Sequence, residues 1–343
     1  MTSATVAIAE ASKTADIEPS PVDRLHSLLE VDMAATDRLI HERMGSSIAL
    51  IPDLARHLID SGGKRLRPLL TLAAARICGY TGCHQINLAA AVEFIHTATL
   101  LHDDVVDESS LRRGKIAANI VWGNKPTILV GDFLFSRAFQ LMVEAESLRV
   151  LDILATAATI IAEGEVLQLK SSNNLATTET DYMKIVAAKT AALFAAASEA
   201  GATIAKATPE IAAALRNYGQ NLGIAFQLVD DALDYSGRQT QMGKSVGDDF
   251  REAKVTLPVI LALDRADEEA RRFWLRAIEA GPQHEGDLKR AISYVEETGA
   301  IDETRARAQR YAKLACNALA PLGSSALRDA LVDVAEFCVG RGY

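Results

Sequence analysis

The chain has 343 residues, 49% hydrophobic and 24% charged, enough for one large core or two ordinary ones. Its formal net charge of −9 excludes the basic face that nonspecific nucleic-acid binding needs. No uncharged apolar run reaches the roughly 18–20 residues of a membrane span, and no amphipathic anchor declares itself.

Residues 1–20, "MTSATVAIAEASKTADIEPS", are small, polar and partly acidic. They lack the basic start and apolar block of a signal peptide and the Arg-rich text of a transit peptide, so they read as a disordered tail. From Pro21 onward nearly every segment has helical spacing. "PVDRLHSLLEVDMAATDRLIHERM" and "SLRVLDILATAATIIAEGEVLQL" carry apolar residues three and four apart. "KIVAAKTAALFAAASEAGATIAKA" is rich in alanine, the best helix former. Gly-, Pro- and Asn-bearing stretches such as "DSGGKRLRP", "VWGNKP" and "AGPQHEGD" punctuate these blocks, and strand-length alternation is nearly absent. The expectation is one all-α domain over residues 21–343. The four cysteines (Cys78, Cys83, Cys316, Cys338) show neither a CxxC pair nor a histidine at metal spacing, and read as structural thiols of a reducing cytoplasm.

Charge gathers at a few points along these helices. "GGKRLRP" sets Lys64, Arg65 and Arg67 on a glycine-loosened loop, with Pro68 in the first turn of the next helix, an arrangement suited to anions. "LLHDDVVDESSLRRG" then places Asp103, Asp104 and Asp107 after an apolar run, with Arg112 and Arg113 just beyond. Asp103 and Asp107 stand four apart and share a helix face, so their repulsion calls for a positive partner. One such cluster is equally a solvated acidic face. The pattern recurs in "FQLVDDALDYSG", with Asp230, Asp231 and Asp234. Paired DDxxD clusters on helices suit magnesium, which binds one or two carboxylates plus substrate phosphates. Di-iron bundles would want Glu and ExxH pairs instead. "MGKSVGDD" adds Lys244 and "REAKVTLP" adds Lys254. Each cation alone reads as surface charge; together with two magnesium-type clusters they point to diphosphate ligands.

With these residues the chain resembles the trans-isoprenyl diphosphate synthases of the polyprenyl synthetase family, and among them the long-chain octaprenyl and decaprenyl enzymes. The signatures "GGKRLRP", "EFIHTATLLHDDVVDESSLRRG", "GDFLFSRAF", "AAKTAALF", "FQLVDDALDYSG", "GKSVGDDF" and "KVTLP" stand in the family's order from about Leu54 to Pro258; the C-terminal third carries none. The resemblance implies a single large helical bundle around a central cavity. It implies three Mg²⁺ ions, two on Asp103 and Asp107 with Asp104 in support, and one on Asp230 with Asp231 and Asp234 completing that site. The ions would neutralise the allylic diphosphate as it leaves. It further implies that Lys64, Arg67, His96 and Arg113 hold isopentenyl diphosphate, and that Arg112, Lys189, Lys244 and Lys254 contact the allylic diphosphate. Thr190 and Gln227 would turn oxygens toward the allylic cation, and Phe226 offers a ring face or a core contact. His96 lies seven residues before Asp103, on about the same face.

In this family the fourth and fifth residues before the first aspartate set product length. Here they are Thr99 and Ala98, too small to plug a tunnel, so a long product of about C40–C50 for quinone side chains is expected, with Phe133, Phe139 and Met142 as candidates for the floor. The nearest rival is a farnesyl or geranylgeranyl synthase. A terpene cyclase would carry an Asn/Ser/Glu metal motif in place of "DDALD", and a non-catalytic subunit of a heteromeric synthase would lose aspartates from one cluster. A homodimer is the family's usual state.

Overall fold

Capping chemistry sets where the chain becomes helical. Ser20 Oγ accepts from the Asp23 amide at 3.3 Å while the Asp23 carboxylate accepts from the Ser20 amide at 3.0 Å, a reciprocal cap that starts α1 (Pro21–Leu28). The computed structural model describes residues 19–112, 114–236 and 246–340, so the tail expected over 1–20 lies outside them apart from Pro19 and Ser20. The first expected helix is two: Leu29, at φ −120°, separates α1 from α2 (Glu30–Arg43). There follow α3 (Leu50–Ile59), α4 (Leu66–Ile77), α5 (His84–Val106), α6 (Ala118–Trp122), α7 (Asn124–Glu144) and α8 (Leu148–Ser171). Next, α9 (Glu179–Val186) runs through a π-helical turn, Ala187–Ala191, into α10 (Ala192–Ile204). Thr208 and Pro209 open the long α11 (Pro209–Asp234). The chain closes with α12 (Asp248–Arg251), α13 (Leu257–Asp264), α14 (Glu268–Trp274), α15 (Asp287–Glu297), α16 (Ala300–Ala318) and α17 (Ala326–Gly340). Among the described residues the only strands are Leu111–Arg112 and Lys115–Ile116, an antiparallel hairpin.

Two apolar clusters hold the helices. One joins α1 to α5, α7, α8, α10, α17 and the first half of α11; the other joins α9, the second half of α11 and α12 to α16. Each fully buried Leu, Ile or Phe in them contributes about 1.5–3 kcal/mol. Because α11 belongs to both, its C-terminal end is fixed from two sides. The alanine-rich α10 is enclosed by α4, α5, α8 and α11. The stretch Glu179–Ile204 is long and apolar enough to cross a membrane, but 67% of its most apolar window is buried inside the fold. Two glycines set the spacing around the π-helical turn: a Cβ on Gly164 would lie 2.8 Å from the Lys189 nitrogen, and one on Gly223 2.7 Å from Ala191 Cα. Their bareness lets α8 and α11 close on that turn.

Candidate active site

Both aspartate clusters sit where a helix ends. Asp103 and Asp104 occupy the last turn of α5 and Asp107 caps it; Asp230, Asp231 and Asp234 fill the last turns of α11. The C-terminal end of a helix carries partial negative charge, so six carboxylates there are disfavoured unless cations meet them. Both ends open onto one cavity of about 1860 Å³, lined by Asp103, Asp107, Asp230, Asp231 and Asp234 but not by Asp104.

The six do different things. Asp104 is fully buried and receives Arg112 Nε at 2.7 Å and Nη2 at 2.6 Å. Burial pushes its carboxyl above the ordinary value even against the pull of Arg112. Asp231 is 3% exposed; its Oδ1 accepts Gln227 Nε2 at 2.7 Å and its Oδ2 accepts the Tyr182 hydroxyl. Asp234 accepts backbone N–H groups of Gly247, Asp248 and Asp249 at 3.0–3.2 Å and so ties α11 to the start of α12. Asp103, Asp107 and Asp230 are half-buried and line the cavity.

Cations reach into this acidic zone. Lys189, on the π-helical turn, lies 3.6 Å from Asp103 and 2.7 Å from Glu165 of α8. Such a turn widens a helix and often marks a functional position. Lys254 lies 2.8 Å from Asp107 and 2.5 Å from Glu252. Burial alone would lower Lys254, but Asp107 and Glu252 hold its ammonium above the ordinary range. Burial, with Asp103 nearby, pushes Glu165 up to about 7.

Lys64, Arg67 and His96 line the same cavity: Lys64 stands 5.2 Å from the Phe337 ring and Arg67 reaches His96 Nε2 at 3.1 Å, its guanidinium 4.3 Å from the Phe194 ring. Arg65, at a left-handed φ of 44°, pairs with Asp37 at 3.0 Å and Glu93 at 3.3 Å and anchors the loop that carries both. Thr190 Oγ1 donates to Gln227 Oε1 at 2.8 Å. The apolar wall comprises Leu100, Phe194 and Phe226 beside Thr99, the two rings 5.8 Å apart.

Of the residues expected from sequence, Lys64, Arg67, His96, Thr99, Asp103, Asp107, Arg112, Lys189, Thr190, Phe226, Gln227, Asp230, Asp231, Asp234 and Lys254 share this cavity. Arg113 and Lys244 lie outside the described residues. Ala98 is fully buried in the core rather than on the cavity wall. Of the floor candidates, Met142 is buried in the core, Phe139 is exposed, and Phe133 packs under the Arg137 guanidinium 4.9 Å away; none of the three lines this cavity, whose wall carries Leu100, Phe194 and Phe226. Glu165, Tyr182, Asp248, Asp249, Arg305 and Phe337 line the cavity without having been singled out. Tyr182 stands seven residues before Lys189, a helical spacing that would have flagged it.

The donor set fits magnesium. Asp103, Asp107 and Asp230 offer carboxylate oxygens from rigid helix ends, and among the described residues no three His, Cys, Asp or Glu side chains converge into a complete cage. A hard cation would therefore rely on further oxygens from a ligand, as Mg²⁺ does with phosphates.

An all-α fold whose two DDxxD clusters share one cavity with basic residues defines a trans-prenyltransferase. The sequence profile described as Polyprenyl synthetase matches residues 48–295, and the chain belongs to that family. It is similar to the polyprenyl synthase of Caulobacter crescentus CB15, solved with calcium and isoprenyl diphosphate, at 55% identity and a TM-score of 0.91 over 94% of this chain and 98% of that one. A decaprenyl diphosphate synthase from Rhodobacter capsulatus matches at 54% identity and a TM-score of 0.90, over 94% of this chain and 99% of that one. The octaprenyl diphosphate synthase of Escherichia coli K12 is 43% identical over 93% of this chain and 99% of its own length.

Proposed function

We propose that the enzyme adds isopentenyl diphosphate head-to-tail to an allylic diphosphate, building an all-trans polyprenyl diphosphate of about C40–C50 that serves as a quinone side-chain precursor; octaprenyl and decaprenyl synthases among its relatives support that length. The observation that carries the reading is the convergence of Asp103, Asp107 and Asp230 on one cavity that Lys64, Arg67 and His96 also line. Three Mg²⁺ ions, held by Asp103, Asp107 and Asp230, would neutralise charge on the departing diphosphate. Asp104, Asp231 and Asp234 stand behind these ligands and act through Arg112, Gln227 and the 247–249 turn. Lys189 and Lys254, poised on carboxylates, exchange those partners for the allylic diphosphate, assisted by Arg112 and Lys244. Lys64, Arg67 and His96, with Arg113, bind isopentenyl diphosphate. Thr190, Gln227 and Lys189 hold the reacting carbon's surroundings polar where cation character develops. Thr99, small and on the cavity wall, leaves the start of the chain path open, and Ala98 behind it is too small to plug a tunnel.

The enzyme acts in the cytoplasm, where its four free thiols suit a reducing medium. It acts as a homodimer without a stable membrane anchor. Outward residues of α7 and α8, among them Leu129, Phe139, Val143, Leu148 and Val166, make an exposed apolar face that a second copy would cover.

Incubation with farnesyl diphosphate and labelled isopentenyl diphosphate, with and without Mg²⁺, tests the reading by product length. Mg²⁺-dependent products near C40–C50 are expected. Products stopping at C15–C20 would give the shorter-chain synthase. No incorporation from folded protein would leave the non-catalytic subunit.

A further inference from the structure

We propose that Tyr182 and Asp231 are positioning residues that fix the side-chain amide of Gln227 with its oxygen, not its nitrogen, toward the allylic group. This rests on the prenyltransferase reading above and assigns to the middle aspartate of the second cluster a task other than holding metal.

A glutamine amide has an accepting end and a donating end of nearly equal shape, so its orientation is decided by its neighbours. An ionised carboxylate only accepts. Asp231 Oδ1 lies 2.7 Å from Gln227 Nε2, one helical turn away on α11, and so selects the donating end. The accepting end, Oε1, then points to the other side, where it takes the Thr190 hydroxyl at 2.8 Å. Thr190 and Gln227 both line the cavity beside Lys189 and Phe226. An amide turned the other way would present N–H groups, positive ends of dipoles, to a carbon acquiring positive charge.

Asp231 holds the amide only if its own carboxylate cannot rotate. Tyr182 supplies that constraint from a different helix: its hydroxyl donates to Oδ2, and its ring is 4% exposed in the second core cluster. Set between the buried ring and Asp231, the hydroxyl has that carboxylate as its acceptor, which holds the carboxylate in one orientation. The line Tyr182–Asp231–Gln227–Thr190 thus ties α11 twice to the segment formed by α9 and the π-helical turn that continues it, over separations of 49 and 37 residues.

A double-mutant cycle of Tyr182→Phe and Gln227→Ala separates this role from a structural one. Tyr182→Phe is expected to lower kcat by about tenfold, less than the loss of a direct oxyanion donor. It should leave both KM values and the Mg²⁺ concentration for half-maximal activity within about twofold. In the Gln227→Ala background the same change should cost less than about twofold, because the amide it positions is gone. Equal costs in both backgrounds, or an unaltered kcat in the single variant, would overturn the proposal. So would a raised Mg²⁺ requirement, which would return Asp231 to the metal. Should Tyr182→Phe fold poorly, Asp231→Asn serves. An asparagine amide donates as well as accepts and no longer selects the donating end of Gln227, so kcat is expected to fall by about tenfold at unchanged Mg²⁺ dependence, with little further loss in the Gln227→Ala background. A loss as deep as that of Asp230→Asn would sink the idea. An inactive wild type defeats the prenyltransferase reading itself, whereas an active wild type with an additive cycle defeats only this inference.

Discussion

Carboxylates on the two sides of this molecule are treated in opposite ways. In the outer C-terminal helices, Arg276 reaches both oxygens of Asp287 at 2.7–2.8 Å and lowers it to about 2. There too Glu303 is lowered to about 2 by Arg265 and Arg307. At the cavity, burial pushes Asp104 upward and Glu165 up to about 7, even with Arg112 and Lys189 beside them. The outer pairs are complete as they stand. The cavity set gathers like charge at two helix C-termini beside Arg112, Lys189 and Lys254, an arrangement suited to the metal and diphosphate proposed above. Stability and function are therefore written in the same residue types with opposite electrostatics.

The sharpest break between the sides is activity. Asp103→Asn or Asp230→Asn is expected to lower kcat by about 10³-fold, roughly 4 kcal/mol of transition-state stabilisation. The melting temperature should hold or rise, because a mutually repelling charge is gone. Steady-state assays beside thermal melts check this, and a melt that fell with activity would erase the distinction. Next in size is Asp104, the one cavity-side aspartate built like an outer pair. Asp104→Ala leaves the Arg112 guanidinium without its buried partner and should cost about 3–5 kcal/mol in a urea titration. Replacing both Asp104 and Arg112 by leucine should recover most of that stability, though not activity.

The twin spelling of the two clusters was legible in the sequence; the division of labour inside them was not. Spacing four apart places Asp103 with Asp107, and the punctuation around GGKRLRP and KVTLP falls where helices begin and end, because caps, periodicity and Gly or Pro breaks are local. Whether Asp104 meets Arg112, or Asp231 meets Tyr182, depends on a hairpin folding back and on α9 packing against α11, contacts between segments 8 and 49 residues apart. The same limit explains the break at Leu29, where continuous apolar spacing hides a turn. It also hid that Phe194 and Phe226 meet the cavity while Phe133 packs on a cation and Phe139 faces solvent. Arg305 and Phe337 reach the cavity from a region with no motif at all.

A smaller effect follows from supplying metal and diphosphate. Inorganic pyrophosphate with Mg²⁺, at about a hundred times its dissociation constant, should stabilise the fold by about 2.7 kcal/mol. Mg²⁺ alone should do much less, since the cavity offers no complete cage among the described residues. The gain should vanish in Asp103→Asn and persist in Asp287→Asn, as read by calorimetry.

The smallest effect tests the outer side by acid. Asp287 has an ordinary value of 3.8 and is held at about 2, chiefly by Arg276 and further by the His284 amide. A carboxylate depressed in the folded state binds fewer protons there than in the unfolded chain, so stability falls as pH drops across that interval. Its contribution is fully present above the ordinary value and disappears as pH passes from about 4 to 2. Asp287→Asn should therefore be less stable than the wild type at neutral pH and converge with it near pH 2. The difference between their melting curves, followed against pH, isolates this one pair from the other carboxylates. Convergence from the opposite direction, with the gap widening in acid, would mean that Asp287 is strained by its surroundings like the cavity carboxylates, and the contrast between the two sides would fail at its simplest point.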